Sequence, residues 1–213
     1  METIEDKLTR AFELFNIGKL FEAEEIYNEC LNIVERTSEE YISVLHGLGF
    51  VKAHQKEFNE ARNIYLELKQ IAQFNRDTQG EHIAIHQLGM VERMAENYTK
   101  AQDLFEEELS LLRERKPAFL VGFAANHYEL GLIMLKQNML EKAEKLMMQS
   151  LQYSKQSGDP ICLGCSLRGL GEIFMASREN EKAMFYFVQS IKAFEEVNDE
   201  VAINQINSLL EQI

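Results

Sequence analysis

Two prolines, eleven glycines and no tryptophan in 213 residues are too few turn formers for a sheet protein of this length. The chain therefore reads as all-α. Three cysteines make no disulfide scaffold, and their odd number favours reduced thiols in a cytoplasmic setting. Bases are scarce as well: 22 Lys and Arg stand against 35 Asp and Glu, a net charge of −13. That balance argues against nucleic acid and against an anionic membrane as partner, because phosphates are gripped mainly by Lys and Arg. No uncharged apolar run is long enough to span a bilayer. The opening METIEDKLTR places Glu2, Glu5 and Asp6 ahead of any apolar stretch, unlike a secretory signal.

What the chain does have is a period. A small residue is followed twelve positions later by Ala, and four positions after that by a large apolar residue. The copies are Ala11–Ala23–Tyr27, Gly49–Ala61–Tyr65, Gly89–Ala101–Phe105, Gly131–Ala143–Met147 and Gly171–Ala183–Phe187. The spacing fits two helices drawn together at small residues, with the large residue one turn further along the same face. Thr37-Ser38-Glu39-Glu40, Asn75-Arg76-Asp77, Lys116-Pro117, Ser157-Gly158-Asp159-Pro160 and Asn198-Asp199 fall between copies. Asp159 before Pro160 predicts a helix start, an N-cap acceptor followed by a proline at the first helical position. Beyond the fifth copy, Ala202, Ile206, Leu209, Leu210 and Ile213 share one face of an amphipathic segment. That segment suits either a capping helix over about 199–213 or a homodimer contact in place of a monomer.

The pattern resembles the tetratricopeptide repeat, with units of about forty residues in place of the usual thirty-four. Long units of this kind are similar to those of kinesin light chain, Leu-Gly-Asn repeat scaffolds and the peptide-pheromone receptors of Gram-positive bacteria. The resemblance implies a right-handed α-solenoid of five antiparallel helix pairs, about 4–37, 42–75, 82–115, 124–157 and 164–197, in a single domain. It implies further that the first helix of each pair lines a concave groove. Mapped onto this sequence, the groove takes Phe12 from the first repeat and His46, Phe50 and His54 from the second. The third supplies His86, Gln87, Met90 and Arg93; the fourth Tyr128, Leu132 and Lys136; the fifth Arg168. Phe12, Phe50, Met90 and Leu132 form an apolar stripe one repeat apart, and three histidines with Arg93 make the middle of the groove mildly cationic. The expectation is a non-catalytic scaffold without cofactor or metal. Its partner would be a protein segment or peptide, acidic or presenting a free carboxylate. A regulatory sensor of a short signalling peptide is the alternative.

Two pairs of residues keep a metal or redox reading open. His82 and His86 are four apart and share a helical face, but Ile83 stands where a zincin has its glutamate. Cys162 and Cys165 form C-x-x-C at a helix start, without the preceding strand of a thioredoxin-like site. The Gly-Leu-Gly triplets at 47–49 and 169–171 lack the third glycine of a dinucleotide loop.

Overall fold

A computed structural model describes residues 2–213, all helix and connecting turn. The helices are α1 (Ile4–Asn16), α2 (Leu20–Leu31), α3 (Glu39–His54), α4 (Phe58–Asn75), α5 (Thr78–Met94) and α6 (Tyr98–Arg115). They continue with α7 (Leu120–Lys136), α8 (Leu140–Ser157), α9 (Pro160–Ala176), α10 (Asn180–Glu195) and α11 (Glu200–Leu210). Contacts divide the chain into two compact units, Met1–Leu104 and Phe105–Ile213. In the first, α1 packs on α2 and α3, and α4 on α3 and α5. In the second, α7 packs on α8 and α9, α9 on α10, and α10 on α11. Both are built in the α-solenoid manner, helix pair upon helix pair.

The small residues act as the spacing predicts. A Cβ built on Gly49 would lie 2.8 Å from the Tyr65 ring of the same repeat, and one on Gly47 only 2.3 Å from the Tyr27 ring of the repeat before. Gly169 and Gly171 stand in the same way against Met147 and Phe187. Each Gly-Leu-Gly triplet is thus a contact point on two sides, with one glycine for the preceding repeat and one for its own. Ala23, Ala61, Ala143 and Ala183 are fully buried opposite them.

Helix ends follow a division of labour. Four of the five first helices carry side-chain caps, from Thr3, Ser38, Asp77 and Asp159, while α7, preceded by Phe119, has none; α11 is capped by Asp199. Asp159 accepts from the Cys162 N–H with Pro160 next to it, as its sequence predicts. The second helices α2, α4, α8 and α10 have no side-chain cap. The bend before every second helix, α6 included, holds one residue in the left-handed region: Gly18, Lys56, Glu96, Asn138 and Arg178, with φ between 58° and 78°. Only the first is glycine, so the other four carry a backbone cost of about 1 kcal/mol each.

α11 closes the second unit. Ala202 and Ile206 are buried, and Leu209, Leu210 and Ile213 pack against a core that includes Leu170, Phe174, Phe187 and Phe194. The apolar face of the C-terminal helix is therefore used inside the chain, as a cap.

Candidate site on the first helices

Two charged residues sit in the core of the first unit, and both occupy the same repeat position, three after the small residue. Lys52 on α3 is 8% exposed, and its ammonium reaches Glu24 of the preceding pair at 2.6 Å, Glu57 at 2.5 Å and Glu60 at 3.1 Å. Burial alone would lower its pKa, but the three carboxylates outweigh it and hold it well above the ordinary lysine value. Glu92 on α5 is fully buried. It accepts from Arg62 Nε and Nη2 at 2.8 and 2.9 Å and from Asn97 at 2.8 Å, and it pairs with Lys100. Burial would raise this carboxyl, yet the donors outweigh it and bring it down to about 2. Repeat equivalence matches Glu24 with Arg62, Glu57 with Asn97 and Glu60 with Lys100. The second cluster is the first with the central charge and two of its partners reversed, and the third partner, Glu57, replaced by the neutral donor Asn97. These clusters fix how α3 and α5 stand against the helices before them, and so fix the face those helices present.

On that face the predicted residues of the first unit divide by exposure. Phe12 is 56% exposed and His54 is exposed; His46, Phe50, His86, Gln87, Met90 and Arg93 are half-buried. Phe50 lies with its ring centroid 5.0 Å from Phe15 and 4.6 Å from His54, and Phe15 meets His54 edge-on at 4.8 Å. The His54 Nδ1–H donates to the Phe50 carbonyl at 2.9 Å, which fixes that tautomer. This three-ring cluster joins the first and second repeats. Burial lowers the His46 pKa, so that imidazole adds no charge at neutral pH, and the face is less cationic than its residue types suggest.

In the second unit the predicted residues are mostly committed within the chain. Tyr128 and Leu132 pack against the core around Leu167 and Leu170. Burial raises the Tyr128 phenol strongly. Arg168 donates to Glu172 at 2.8 Å and to Gln205 of α11 at 2.6 Å. Burial opposes its charge, and Glu172 more than compensates. Lys136 alone of this set is exposed.

His82 is buried on α5, while His86 is half-buried. Among the described residues no three His, Cys, Asp or Glu side chains come together as a metal site. Cys162 and Cys165 are free thiols, and burial first of all raises them to about 12 and about 11, the reverse of what a reactive thiolate needs. Among the described residues no helix is long and apolar enough to cross a membrane.

One depression in the first unit lies off the predicted stripe. Arg36, Thr37, Ile42, Gln70, Ile71, Phe74 and Asn75 line about 300 Å³ at the joint of the first and second repeats. Phe74 there is 90% exposed. The other four repeats carry Arg36, Glu114, Gln156 and Glu196 at its position. That lone departure from a polar column is the signal in the sequence that could have marked it.

Residues 40–114 match the tetratricopeptide-repeat family. No curated protein matches the chain. Among solved structures the chain is similar to a Rap protein complexed with competence and sporulation factor. The TM-score is 0.78 at 15% identity, over 95% of this chain and 57% of that one. It is also similar to BtubC from P. vanneervenii, with TM-score 0.65 and 16% identity over 92% and 81% of the two chains. A thermophilic TPR protein of Thermus thermophilus gives 0.64 and 17% over 99% and 100%. At these identities the likeness is one of fold, and the chain spans little more than half the length of the Rap protein.

Proposed function

We propose, with a tetratricopeptide-repeat chain as the premise, that this protein is a non-catalytic scaffold whose first unit binds an extended or helical protein segment on the face of α1, α3 and α5. The Phe15–Phe50–His54 cluster carries the reading, with exposed Phe12 one repeat before Phe50. A cluster of rings half open to solvent offers apolar anchoring, and the Arg93 guanidinium on α5 adds donors suited to a carboxylate. A micromolar complex needs about −8 kcal/mol. A few buried anchors and one or two charge-assisted hydrogen bonds leave that much after ordering costs. The second unit supports the same placement from the other side, since Tyr128, Leu132 and Arg168 already have partners within the chain.

The likeness to a Rap protein holding competence and sporulation factor favours a second reading, in which the segment is a short signalling peptide and binding is regulatory. Partner capture on immobilised wild type, compared with a Phe12→Glu/His54→Glu variant, tests both readings. Both side chains are exposed, but His54 also belongs to the ring cluster, so circular dichroism and thermal unfolding of the variant check that the fold is kept. Loss of the captured segment supports the face, and unchanged capture removes it. The length of the segment released separates scaffold from sensor.

A further inference from the structure

α10 presents a stripe to solvent that no other second helix carries. Glu181, Phe185, Val188 and Lys192 follow one another at i, i+4, i+7 and i+11, which places all four on one line of the helix. All four are exposed, Phe185 at 60% and Val188 at 44%. At the positions of Phe185 and Val188 the other repeats have Glu25 and Asn28, Asn63 and Leu66, Asp103 and Glu106, and Lys145 and Met148. Only the fifth repeat is apolar at both. Single exposed apolar residues are ordinary on a surface, but an adjacent pair in a column that is otherwise mostly polar is not.

The charges around that pair are arranged symmetrically. Along the stripe the order is Glu181, Phe185, Val188, Lys192, with Arg178 in the turn before α10 and Glu195 at its last residue, and every one of these is exposed. Arg178 and Glu195, Glu181 and Lys192, and Phe185 and Val188 are all centred on one point, between Tyr186 and Phe187. An antiparallel second copy of α10 laid across that point meets it in register. Phe185 then faces Val188 of the other copy, each about 2 Å along the axis from the centre. Glu181 faces Lys192, each about 8 Å out. This charge pair forms twice over, as a two-fold contact between identical surfaces requires. None of these four charges has an ion pair within the chain among the described residues, whereas nearby Lys182 is held by Glu179.

We infer that the protein forms a two-fold homodimer through α10, with Phe185 and Val188 at its centre. The stripe lies wholly on the second unit and does not depend on what the first unit binds. One helix of this length covers less than a standard interface of about 1,600 Å², so the dimer belongs to the weak, concentration-dependent class. The C-terminal helix is not the contact, because its apolar face is already used on the core.

Sedimentation velocity across a concentration series tests this on the full chain, with helicity checked by circular dichroism. The expected result is self-association of the wild type in the micromolar range. It should be lost in Phe185→Glu and weakened about tenfold in Glu181→Lys and in Lys192→Glu, since each single change sets like charges face to face. The combined E181K/K192E chain restores complementarity and should return to within about threefold of wild type. A wild type that stays monomeric to roughly 100 μM, the reach of a weak interface, overturns the inference, whether or not some other protein covers α10. A dimer indifferent to F185E overturns it too, and so does a double variant no better than the single ones.

Discussion

The repeat junctions of the two units solve one packing problem in different ways. The position three after the small residue reads Leu14, Lys52, Glu92, Met134 and Phe174 along the five repeats. In the second unit this position is apolar, and Phe174 stacks on Tyr186 with rings 5.4 Å apart. Its buried polar groups lie elsewhere: Asn126 donates to Glu108 between the third and fourth repeats, and hydroxyls make the junction of the fourth and fifth. Ser150 donates to the Ala124 carbonyl at 2.8 Å and Ser190 to that of Gly164 at 2.6 Å, while Ser166 is within 2.9 Å of both Ser150 and Ser154. In the second and third repeats, within the first unit, the position is charged, and three neighbours change with it. A buried charge without partners is expensive, so sign reversal is tolerated only when its partners change with it. The junctions of the first unit are thereby specific to their own neighbours, while the hydroxyl junction between the fourth and fifth repeats is neutral.

The sharpest way to break this contrast is to reverse one charge. Lys52→Glu sets four carboxylates together and should cost about 3–5 kcal/mol in urea unfolding. Glu92→Lys should cost a similar amount beside Arg62 and Lys100. The acid limb sharpens the contrast without mutation. The Glu92 carboxyl is held at about 2, below its ordinary value of about 4.3. Its contribution is complete above that ordinary value and is lost as pH falls towards 2, on the order of 3 kcal/mol in all. Hydrogen exchange from pH 7 to pH 3 should therefore deprotect α3–α5 more than α8–α10. Next in size is Gly171→Ala, where the new Cβ would come within 2.5 Å of the Phe187 ring. It should cost about 1–3 kcal/mol by thermal unfolding, with Gly49→Ala at the low end. Ser150→Ala removes a neutral donor and should cost only about 1 kcal/mol. The smallest effect has the opposite sign: Glu96→Gly relieves a left-handed residue and should stabilise by about 0.5–1 kcal/mol.

Much of the fold is legible because small residues cannot hide in a repeat. The Gly/Ala–Ala–large spacing located every helix pair, and the amphipathic 199–213 segment was readable as a cap. What stayed illegible depends on contacts between repeats. Lys52 and Glu92 look like surface charges in a linear chain, since Glu24 and Arg62, which neutralise them, lie about thirty residues away. The site was less legible than the fold. Mapping by repeat position puts Phe12, Phe50 and Arg168 in one class. Only their surroundings show that Phe50 joins a ring cluster while Arg168 is bound to Glu172 and Gln205. Gly47 and Gly169, each next to a mapped residue, His46 and Arg168, are pressed against Tyr27 and Met147 of the preceding repeat.

The central claim is that the face of α1, α3 and α5 binds a protein segment. Selection from a displayed random-peptide library on the wild type, with each enriched peptide re-measured on the Phe12→Glu/His54→Glu variant, tests it most directly. The account predicts enriched peptides with apolar residues and an acidic or terminal carboxylate, whose affinity falls at least about tenfold on the variant, or about 1.4 kcal/mol. Peptides that bind wild type and variant equally would contradict it.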